Sequence, residues 1–512
     1  MGLVLAFGLP ACTSEPALPT VTVLAGSELK DLEPLLPQIE QAVGVTLQID
    51  YTGTLAGAEQ ILRGSPADLA WFSSARYLTL AQGNDQRVLE QDSIMLSPVV
   101  LGVNQDVARR FGWEENPDVT WADVEAKAAS SQFRYAMTNP AASNSGFSAL
   151  VGVASALAGT GNALTERDID VEQLKAFFSG QALTAGSSGF LADSFVREQD
   201  RLDGMINYES ILLELNTSGV LDQPLDLIYP KDGIITADYP LMLLDPSKRG
   251  VYDRLVRFLK TPDIQRWIMT HTNRRPVTPE VRADDRFPSQ VLLELPFPST
   301  LSVINRLLTA YLNEIRLPAH AVFVLDTSGS MLGSRLAQLQ RALIGLTGLD
   351  TSLTGRFSQF RAREDLTFIT FSSSVNGVRR FEIDTTDPAG PSLTAVREFV
   401  ESLSAGGDTA IFTALSAAYA EATAALQADP TRFTSIVLMT DGENNAGITV
   451  DDFLDRYRAL GPTAQQIKTF PVLFGDADPQ ELHAVADATG GEVFDSRTES
   501  LSEVFKDIRG FQ

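Results

Sequence analysis

Cysteine and histidine are scarce in this sequence, and their scarcity excludes several kinds of site. The 512 residues include one cysteine, Cys12, and three histidines, His271, His320 and His483. A single cysteine cannot form an internal disulfide. The histidines lie far apart along the chain and no nucleophile motif accompanies them, so we expect neither a zinc centre nor a catalytic triad.

Positive charge is also in short supply. The sequence has 40 lysines and arginines against 65 aspartates and glutamates, which gives a formal net charge of −25. Nucleic acids and anionic membrane surfaces attract basic proteins, so this balance excludes both as partners held by charge. The apolar content of 44% is ample for buried cores, and the length predicts at least two domains.

Long apolar runs are missing as well. Residues 2–9 form a short apolar segment that ends in Leu9-Pro10-Ala11-Cys12, and no other run approaches the roughly 20 residues of a membrane span. A short apolar segment closed by a small residue is typical of a secretory leader. It resembles the lipobox of bacterial lipoproteins, which implies cleavage before Cys12, a lipid on its thiol and attachment to the cell envelope. The alternative is an unmodified cysteine near a chain end. We expect residues 1–19 to be leader and tether.

Strands alternate with helices over the next part of the chain, which predicts a parallel α/β sheet. The β-prone runs at residues 21–24, 45–51 and 69–72 are each followed by small hydroxyl residues. Ligands of such sheets lie beyond the carboxyl ends of the strands. A further polar segment, Ser143-Asn144-Ser145, precedes a helical run, where it either caps the helix or helps to hold an anion.

The segments "VTVLAGSEL", "ADLAWFSS", "NPAASNSGFSAL" and "IYPKDGIITADYPLMLL" make residues 20–290 similar to periplasmic substrate-binding proteins of bacterial transporters. The resemblance implies two α/β lobes with a solute between them, and hinge strands near residues 94–104 and 225–236. The solute-binding side chains it implies, for a small oxyanion or another solute, are Ser27, Thr54, Ser73, Ser145 and Ser188.

Residues 291–318 are predicted to connect two domains. Ile304, Leu307, Leu308, Tyr311 and Ile315 recur at helical spacing, and polar residues occupy the opposite face. This pattern predicts a helix packed on one or both domains. From residue 319 to 512 the strand and helix alternation resumes, with Asn376-Gly377 as a predicted two-residue hairpin turn. The result is a second α/β domain with a doubly wound sheet.

Three short segments of this second domain carry its functional residues. They are residues 326–330 (DTSGS), residues 406–409 (GGDT) and residues 440–442 (TDG), each at the end of a predicted strand or the start of a helix. They bring oxygen ligands without sulfur or imidazole to one edge of the sheet: Asp326, Ser328, Ser330, Thr409 and Asp441. Such a set selects a hard divalent cation, with magnesium foremost and calcium or manganese as alternatives.

The same pattern resembles the von Willebrand factor A domain with its metal-ion-dependent adhesion site. The resemblance covers residues 319–512 and implies that Ser328 and Ser330 bind the metal directly. Thr409 would bind it directly or through water, while Asp326 and Asp441 would hold the ion or its waters. The remaining coordination position would accept a glutamate or aspartate carboxylate from a partner protein.

These observations favour a binding protein over an enzyme. The leading hypothesis is an extracytoplasmic, lipid-anchored protein that binds a protein partner through the metal. The alternative is the substrate-binding component of a transporter. A metal-dependent hydrolase is disfavoured, because no base or nucleophile lies near the metal segments.

Overall fold

The computed structural model describes residues 18–288 and 290–512, and it confirms the predicted α/β fold class. The lipidation site predicted at Cys12 lies outside the described residues. The elements before residue 290 are, in chain order, β1 (Thr20–Gly26), α1 (Leu36–Val43), β2 (Thr46–Thr52), α2 (Thr54–Leu62), β3 (Leu69–Trp71), α3 (Arg76–Ala81), β4 (Glu90–Ser93), β5 (Met95–Asn104), α4 (Gln105–Phe111), α5 (Trp121–Ala129), β6 (Tyr135–Thr138), α6 (Asn144–Ala158), α7 (Val171–Phe178), β7 (Gln181–Ala185), α8 (Ser188–Arg197), β8 (Gly204–Tyr208), α9 (Glu209–Ser218), β9 (Leu225–Ile228), β10 (Thr236–Ala237), β11 (Pro240–Leu243), α10 (Arg249–Leu259), α11 (Pro262–Thr272) and β12 (Arg275–Pro276).

These elements build two lobes. Lobe 1 contains the sheet β2-β1-β3-β11-β4, and lobe 2 contains the sheet β10-β5-β8-β6-β7 with β9 and β12 also paired to β5. In lobe 1 the strands β1, β2 and β3 run parallel, so the polar residues after them share one edge of the sheet. The sequence prediction of a common carboxyl edge is therefore confirmed for this lobe.

The chain crosses between the lobes at two strand junctions, and after α10 and α11 it returns to lobe 2 once more through β12, which pairs with the start of β5. The first lies at Ile94, between β4 and β5, as predicted. The second lies between β10 and β11, around Tyr239, a few residues beyond the predicted segment 225–236. The prediction missed it because β9 and β10 both pair with β5 of lobe 2, so the chain leaves that lobe only after Ala237.

The second half of the chain forms another α/β unit, preceded by a connecting helix. Its elements are α12 (Leu301–Ala310), β13 (Ala319–Asp326), α13 (Ser334–Ile344), α14 (Leu353–Ser358), β14 (Glu364–Phe371), β15 (Val375–Ile383), α15 (Pro391–Glu401), α16 (Ile411–Ala428), β16 (Phe433–Thr440), α17 (Val450–Arg458), β17 (Lys468–Leu473), α18 (Pro479–Thr489), β18 (Phe494–Asp495) and α19 (Leu501–Arg509). We call the part from β13 onward the C-terminal domain. Its sheet has the order β15-β14-β13-β16-β17-β18, and only the pairing of β14 with β15 is antiparallel.

The hairpin of this sheet is present, but its predicted turn is wrong. Asn376 and Gly377 lie inside β15, and the chain reverses at residues 372–374 instead. The pairing shifts register at this point, with Thr370 opposite Gly377 and Phe371 opposite Val375. The Asn376 amide donates to the hydroxyls of Ser372 (3.1 Å) and Thr327 (3.2 Å), so tertiary hydrogen bonds place this residue in a bulge.

The connecting helix packs on lobe 2, and a π-helical turn, Tyr311–Ile315, extends it. The Tyr311 ring meets Phe178 edge-on at 5.3 Å between centroids, and its hydroxyl donates to Gln181 at 3.2 Å. The predicted helix is therefore confirmed, together with its contact to the first half of the chain. No helix in residues 18–288 or 290–512 has both the length and the hydropathy of a membrane span.

Candidate metal centre

The three polar segments of the C-terminal domain meet at one edge of its sheet. β13 and β16 are neighbouring parallel strands, with Leu325 opposite Met439, so Asp326 and Asp441 leave the sheet side by side. The third segment is joined to the first by backbone hydrogen bonds. The Gly329 N–H donates to the Gly407 carbonyl at 2.9 Å, and the Gly406 N–H donates to the Thr327 carbonyl at 2.8 Å.

Hydrogen bonds connect the predicted ligand oxygens. The Asp326 carboxylate accepts the Ser328 N–H on one oxygen and the Thr440 hydroxyl on the other, both at 2.7 Å. The Ser328 and Ser330 hydroxyls lie 2.9 Å apart, and Ser330 donates to Asp441 Oδ1 at 2.6 Å. One continuous chain of hydrogen bonds therefore links four of the five residues that the sequence predicted.

Thr409 completes the group from the helix side. Its N–H donates to the Asn445 side-chain oxygen at 2.7 Å, which holds the loop before α16 against the loop after β16. A Cβ on Gly442 would lie 3.4 Å from Ser330 Oγ and 3.8 Å from Thr409 Oγ1. Both hydroxyls thus border the same glycine, and the structure brings all five predicted residues together.

Because its carboxylates are buried, this edge of the sheet attracts positive charge. Asp326, Ser328 and Asp441 are fully buried, whereas Ser330 is exposed. Burial raises the pKa of the Asp326 carboxyl, and the negative charge of Asp441 adds to this rise, against hydrogen bonds from Ser328 and Thr440 that lower it. Two neighbouring carboxylates with hydroxyls around them and one open side fit a hard divalent cation. Within the described residues, no cluster of three or more histidine, cysteine, aspartate or glutamate side chains offers an alternative metal site.

Sequence reasoning missed the arginine at this site. Arg335, in the first turn of α13, donates to Asp441 Oδ2 at 2.7 Å and to Asp476 Oδ2 at 2.8 Å. Gly475 makes room for it, because a Cβ there would lie only 2.9 Å from the Arg335 guanidinium carbon. The hydrogen bonds to Asp476 and Asp441 raise the pKa of Arg335. Arg335 therefore supplies positive charge to the carboxylate that is predicted to serve the metal.

The predicted solute ligands of the first half fall into separate groups. In lobe 2, the buried hydroxyls of Ser145 and Ser188 lie 2.7 Å apart, and Ser145 also contacts Thr138 at 2.8 Å. In lobe 1, Ser27 is exposed, Thr54 is half-buried and Ser73 is fully buried.

The lobes meet beside the Tyr208 hydroxyl, a residue that the sequence did not single out. Asn144 of lobe 2 donates to this hydroxyl at 3.0 Å, and Ser73 of lobe 1 also lies next to it. The structure thus places Ser73 near Asn144, the neighbour of Ser145, across the interlobe boundary.

An arginine far along the sequence also reaches the interlobe boundary. Arg274 is 1% exposed, and its guanidinium lies 4.7 Å from the ring centroid of Tyr239. It donates to Asp31 at 2.5 Å and to the Glu28 carbonyl at 3.1 Å. The positive charge of Arg274 is therefore balanced by groups of lobe 1, the Asp31 carboxylate and the Glu28 carbonyl. No local pattern around residue 274 could have indicated this position.

Comparison with known families agrees with this division of the chain. Residues 21–271 match the family model of the bacterial extracellular solute-binding protein, and residues 321–507 match that of the von Willebrand factor type A domain. No curated protein matches the chain.

Similar solved structures are periplasmic binding proteins. AfuA from Actinobacillus pleuropneumoniae is 14% identical, covers 58% of this chain and 98% of its own, and has a TM-score of 0.45. The sulfate-binding protein SubI from Mycobacterium tuberculosis is 20% identical, with 56% and 96% coverage and a TM-score of 0.42. The ferric binding protein from Campylobacter jejuni is 14% identical, with 57% and 96% coverage and a TM-score of 0.42.

Proposed function

We propose that this chain, which joins a bacterial extracellular solute-binding domain to a von Willebrand factor type A domain, binds a partner protein through a divalent cation. The observation that carries the proposal is the convergence of five oxygen-bearing residues at an open sheet edge, with two buried carboxylates below one exposed hydroxyl, that of Ser330. Both domains are of binding types rather than enzyme families, which supports binding over catalysis.

The five residues would take different roles in cation binding, according to their chemistry. The Ser328 and Ser330 hydroxyls would bind the cation directly, and Thr409 would add its own hydroxyl. Asp326 and Asp441 would supply the negative charge, and the hydrogen bonds they already accept keep their oxygens oriented. When bound, the cation, for which magnesium is our proposal, supplies an electrophilic position that accepts a glutamate or aspartate oxygen of the partner.

We also place the protein in the cell envelope. The solute-binding family is extracellular, which supports export. Attachment through a lipid on Cys12 completes this part of the proposal.

The test measures metal binding first and partner binding second. Titration with Mg²⁺ should show binding in the native protein, and Asp326→Asn should weaken it by roughly tenfold or more because one buried charge is lost. The asparagine keeps an oxygen for the Ser328 N–H, so the loop should stay folded. Asp408→Asn is the matched control, since Asp408 is exposed and lies next to Thr409 but outside the donor set.

Capture of an envelope protein should then depend on Mg²⁺, disappear in chelator, and fail with Asp326→Asn but not with Asp408→Asn. Capture that is equally strong in chelator would refute metal-dependent binding.

A second candidate function is solute reception for a transporter. The paired hydroxyls of Ser145 and Ser188, with the Tyr208 hydroxyl of the same lobe and the Ser73 hydroxyl across the lobe boundary, favour it. A thermal-shift panel of sulfate, phosphate, molybdate and sugars on the full chain tests it. Stabilisation by one solute that is lost in Ser145→Ala would support reception. If no solute of the panel stabilises the protein, the two lobes would serve as a scaffold instead.

A further inference from the structure

Gly510 and Phe511, which follow α19, pack against lobe 2. Phe511 is 4% exposed and meets the Phe190 ring edge-on at 5.0 Å between centroids. A Cβ on Gly186 would lie 2.4 Å from the Phe511 ring, so the ring occupies the space that a larger residue would need. Gly510 is equally close to lobe 2, because a Cβ there would lie 2.8 Å from Ala142 Cβ. In the tail, residues 510–512, Gly510 and Phe511 thus fit against the loops that precede α6 and α8, whereas the Gln512 carbonyl accepts from Arg316 at 2.7 Å and its amide donates to Ser435 at 3.1 Å.

The C-terminal domain also holds lobe 1. Glu59, on α2 of lobe 1, points its carboxylate at the first turn of α14. It accepts the Leu353 N–H at 3.1 Å, the Thr354 N–H at 2.9 Å and the Thr354 hydroxyl at 2.7 Å. Glu59 is 7% exposed, so these hydrogen bonds are shielded from water. On the side that faces lobe 2, an ion pair joins Lys468 of the C-terminal domain to Glu198 at 3.1 Å.

The two lobes touch each other beside the tail. A Cβ on Gly53 of lobe 1 would lie 3.6 Å from the Ala142 carbonyl oxygen of lobe 2, and Ala142 is the residue that Gly510 approaches. Tyr77 of lobe 1 and Phe147 of lobe 2 also meet edge-on, with centroids 6.3 Å apart. Ala142 is therefore a point where both lobes and the C-terminal domain come together.

These contacts of the C-terminal domain restrict the hinge movement that would separate the two lobes. Opening the cleft would separate α2 of lobe 1 from the Ala142 and Gly186 loops of lobe 2. The C-terminal domain binds all three places, so it cannot follow both lobes at once. Either the Glu59 hydrogen bonds or the Phe511 packing has to break before the lobes part.

We propose that the C-terminal domain clamps the two lobes against each other, and that loss of either contact, Glu59 on α14 or the tail on the Gly186 loop, lets the interlobe cleft open. The clamp goes beyond the proposed metal-dependent binding and does not rest on it. Its failure would leave the Mg²⁺ titration with Asp326→Asn untouched, and a failed titration would leave the clamp untouched.

The experiment measures the distance between the lobes in the full chain. Spin labels are attached at Asp253→Cys on α10 of lobe 1 and at Glu172→Cys on α7 of lobe 2, in a Cys12→Ser background. Asp253 is exposed and the Glu172 side chain is 81% exposed, so the labels should not disturb packing. Double electron–electron resonance then gives the distance distribution.

Two variants release the tail from opposite sides. Phe511→Ala removes the ring, and Gly186→Ala fills its space from lobe 2 without altering the C-terminal domain. Phe453→Ala is the control for lost stability. Phe453 is buried in the C-terminal domain at 1% exposure and packs on Phe412 and Tyr419, away from the lobes.

The clamp predicts one narrow distance in the parent and in Phe453→Ala, and an added longer distance in both tail variants. It is overturned if either tail variant keeps the single short distance or if the parent already samples the longer one. A matching shift in Phe453→Ala would also overturn it, because general loss of stability would then explain the opening.

Discussion

The substitution Glu59→Gln tests most directly the contact between lobe 1 and the C-terminal domain. The Glu59 carboxylate serves as the cap of a helix in another domain, with both oxygens accepting hydrogen bonds from Leu353 and Thr354. Burial raises the pKa of Glu59, but the hydrogen bonds from Thr354, the charge of Arg63 and the Leu353 N–H outweigh it and hold the pKa below its ordinary value. The stabilisation is therefore fully present at pH 7 and is lost as the pH falls through the folded-state pKa.

The expected free-energy cost of Glu59→Gln follows from the hydrogen-bond donors of Leu353 and Thr354. Glutamine has one acceptor oxygen, which can keep the two donors of Thr354, and its NH₂ group then faces the Leu353 N–H. One buried donor without an acceptor costs about 1–3 kcal/mol, and loss of charge from the remaining bonds costs about 1 kcal/mol more. The sum of about 2–4 kcal/mol corresponds to roughly 30- to 700-fold more frequent opening of the first turn of α14.

Hydrogen exchange of residues 350–358, measured by mass spectrometry at pH 7, reports this opening directly because the Leu353 and Thr354 amides are the donors. Protection there should fall by that factor in Glu59→Gln. It should stay unchanged in Glu280→Gln, a substitution at an exposed glutamate of the same half of the chain. Equal protection in the parent and Glu59→Gln would refute the assignment of Glu59 as the interdomain cap.

The remaining predictions concern the metal edge and acid stability. Arg335→Gln should raise Mg²⁺ affinity about tenfold in a calorimetric titration, because a cation would no longer compete with the guanidinium for Asp441; a lower affinity would show instead that Arg335 orients Asp441. His320, 5% exposed on β13, has its pKa lowered to about 4, mainly by burial and next by the charge of Arg432. The unfolded chain takes up this proton near pH 6.5, so stability is lost as the pH falls from about 6.5 to 4, by roughly 3 kcal/mol in all. The urea midpoint of His320→Gln should consequently fall less between pH 7 and pH 4.5 than that of the parent, and an identical fall would contradict this role.

Local sequence patterns were sufficient to predict the helices and strands and the three polar segments of the candidate metal site. The run from Ala319 to Asp326 is buried at every position, as an apolar run in a central parallel strand should be. Asp326 and Asp441 each follow such a strand, and parallel neighbours deliver their carboxyl ends to the same edge, so their convergence could be predicted without coordinates. The Asn376-Gly377 prediction failed because hydrogen bonds to Ser372 and Thr327 outweighed the turn preference of that dipeptide.

Long-range placement was beyond any local pattern. Arg335 and Arg274 carry no motif, and each becomes informative only because folding sets it beside Asp441 or between Asp31 and Tyr239. The sequence by itself determined two α/β units and an oxygen-lined edge, because periodicity and strand ends are properties of neighbouring residues. Only the tertiary structure decided that Phe511 packs on Gly186 and Glu59 on Thr354, because contacts across hundreds of residues depend on how whole domains pack.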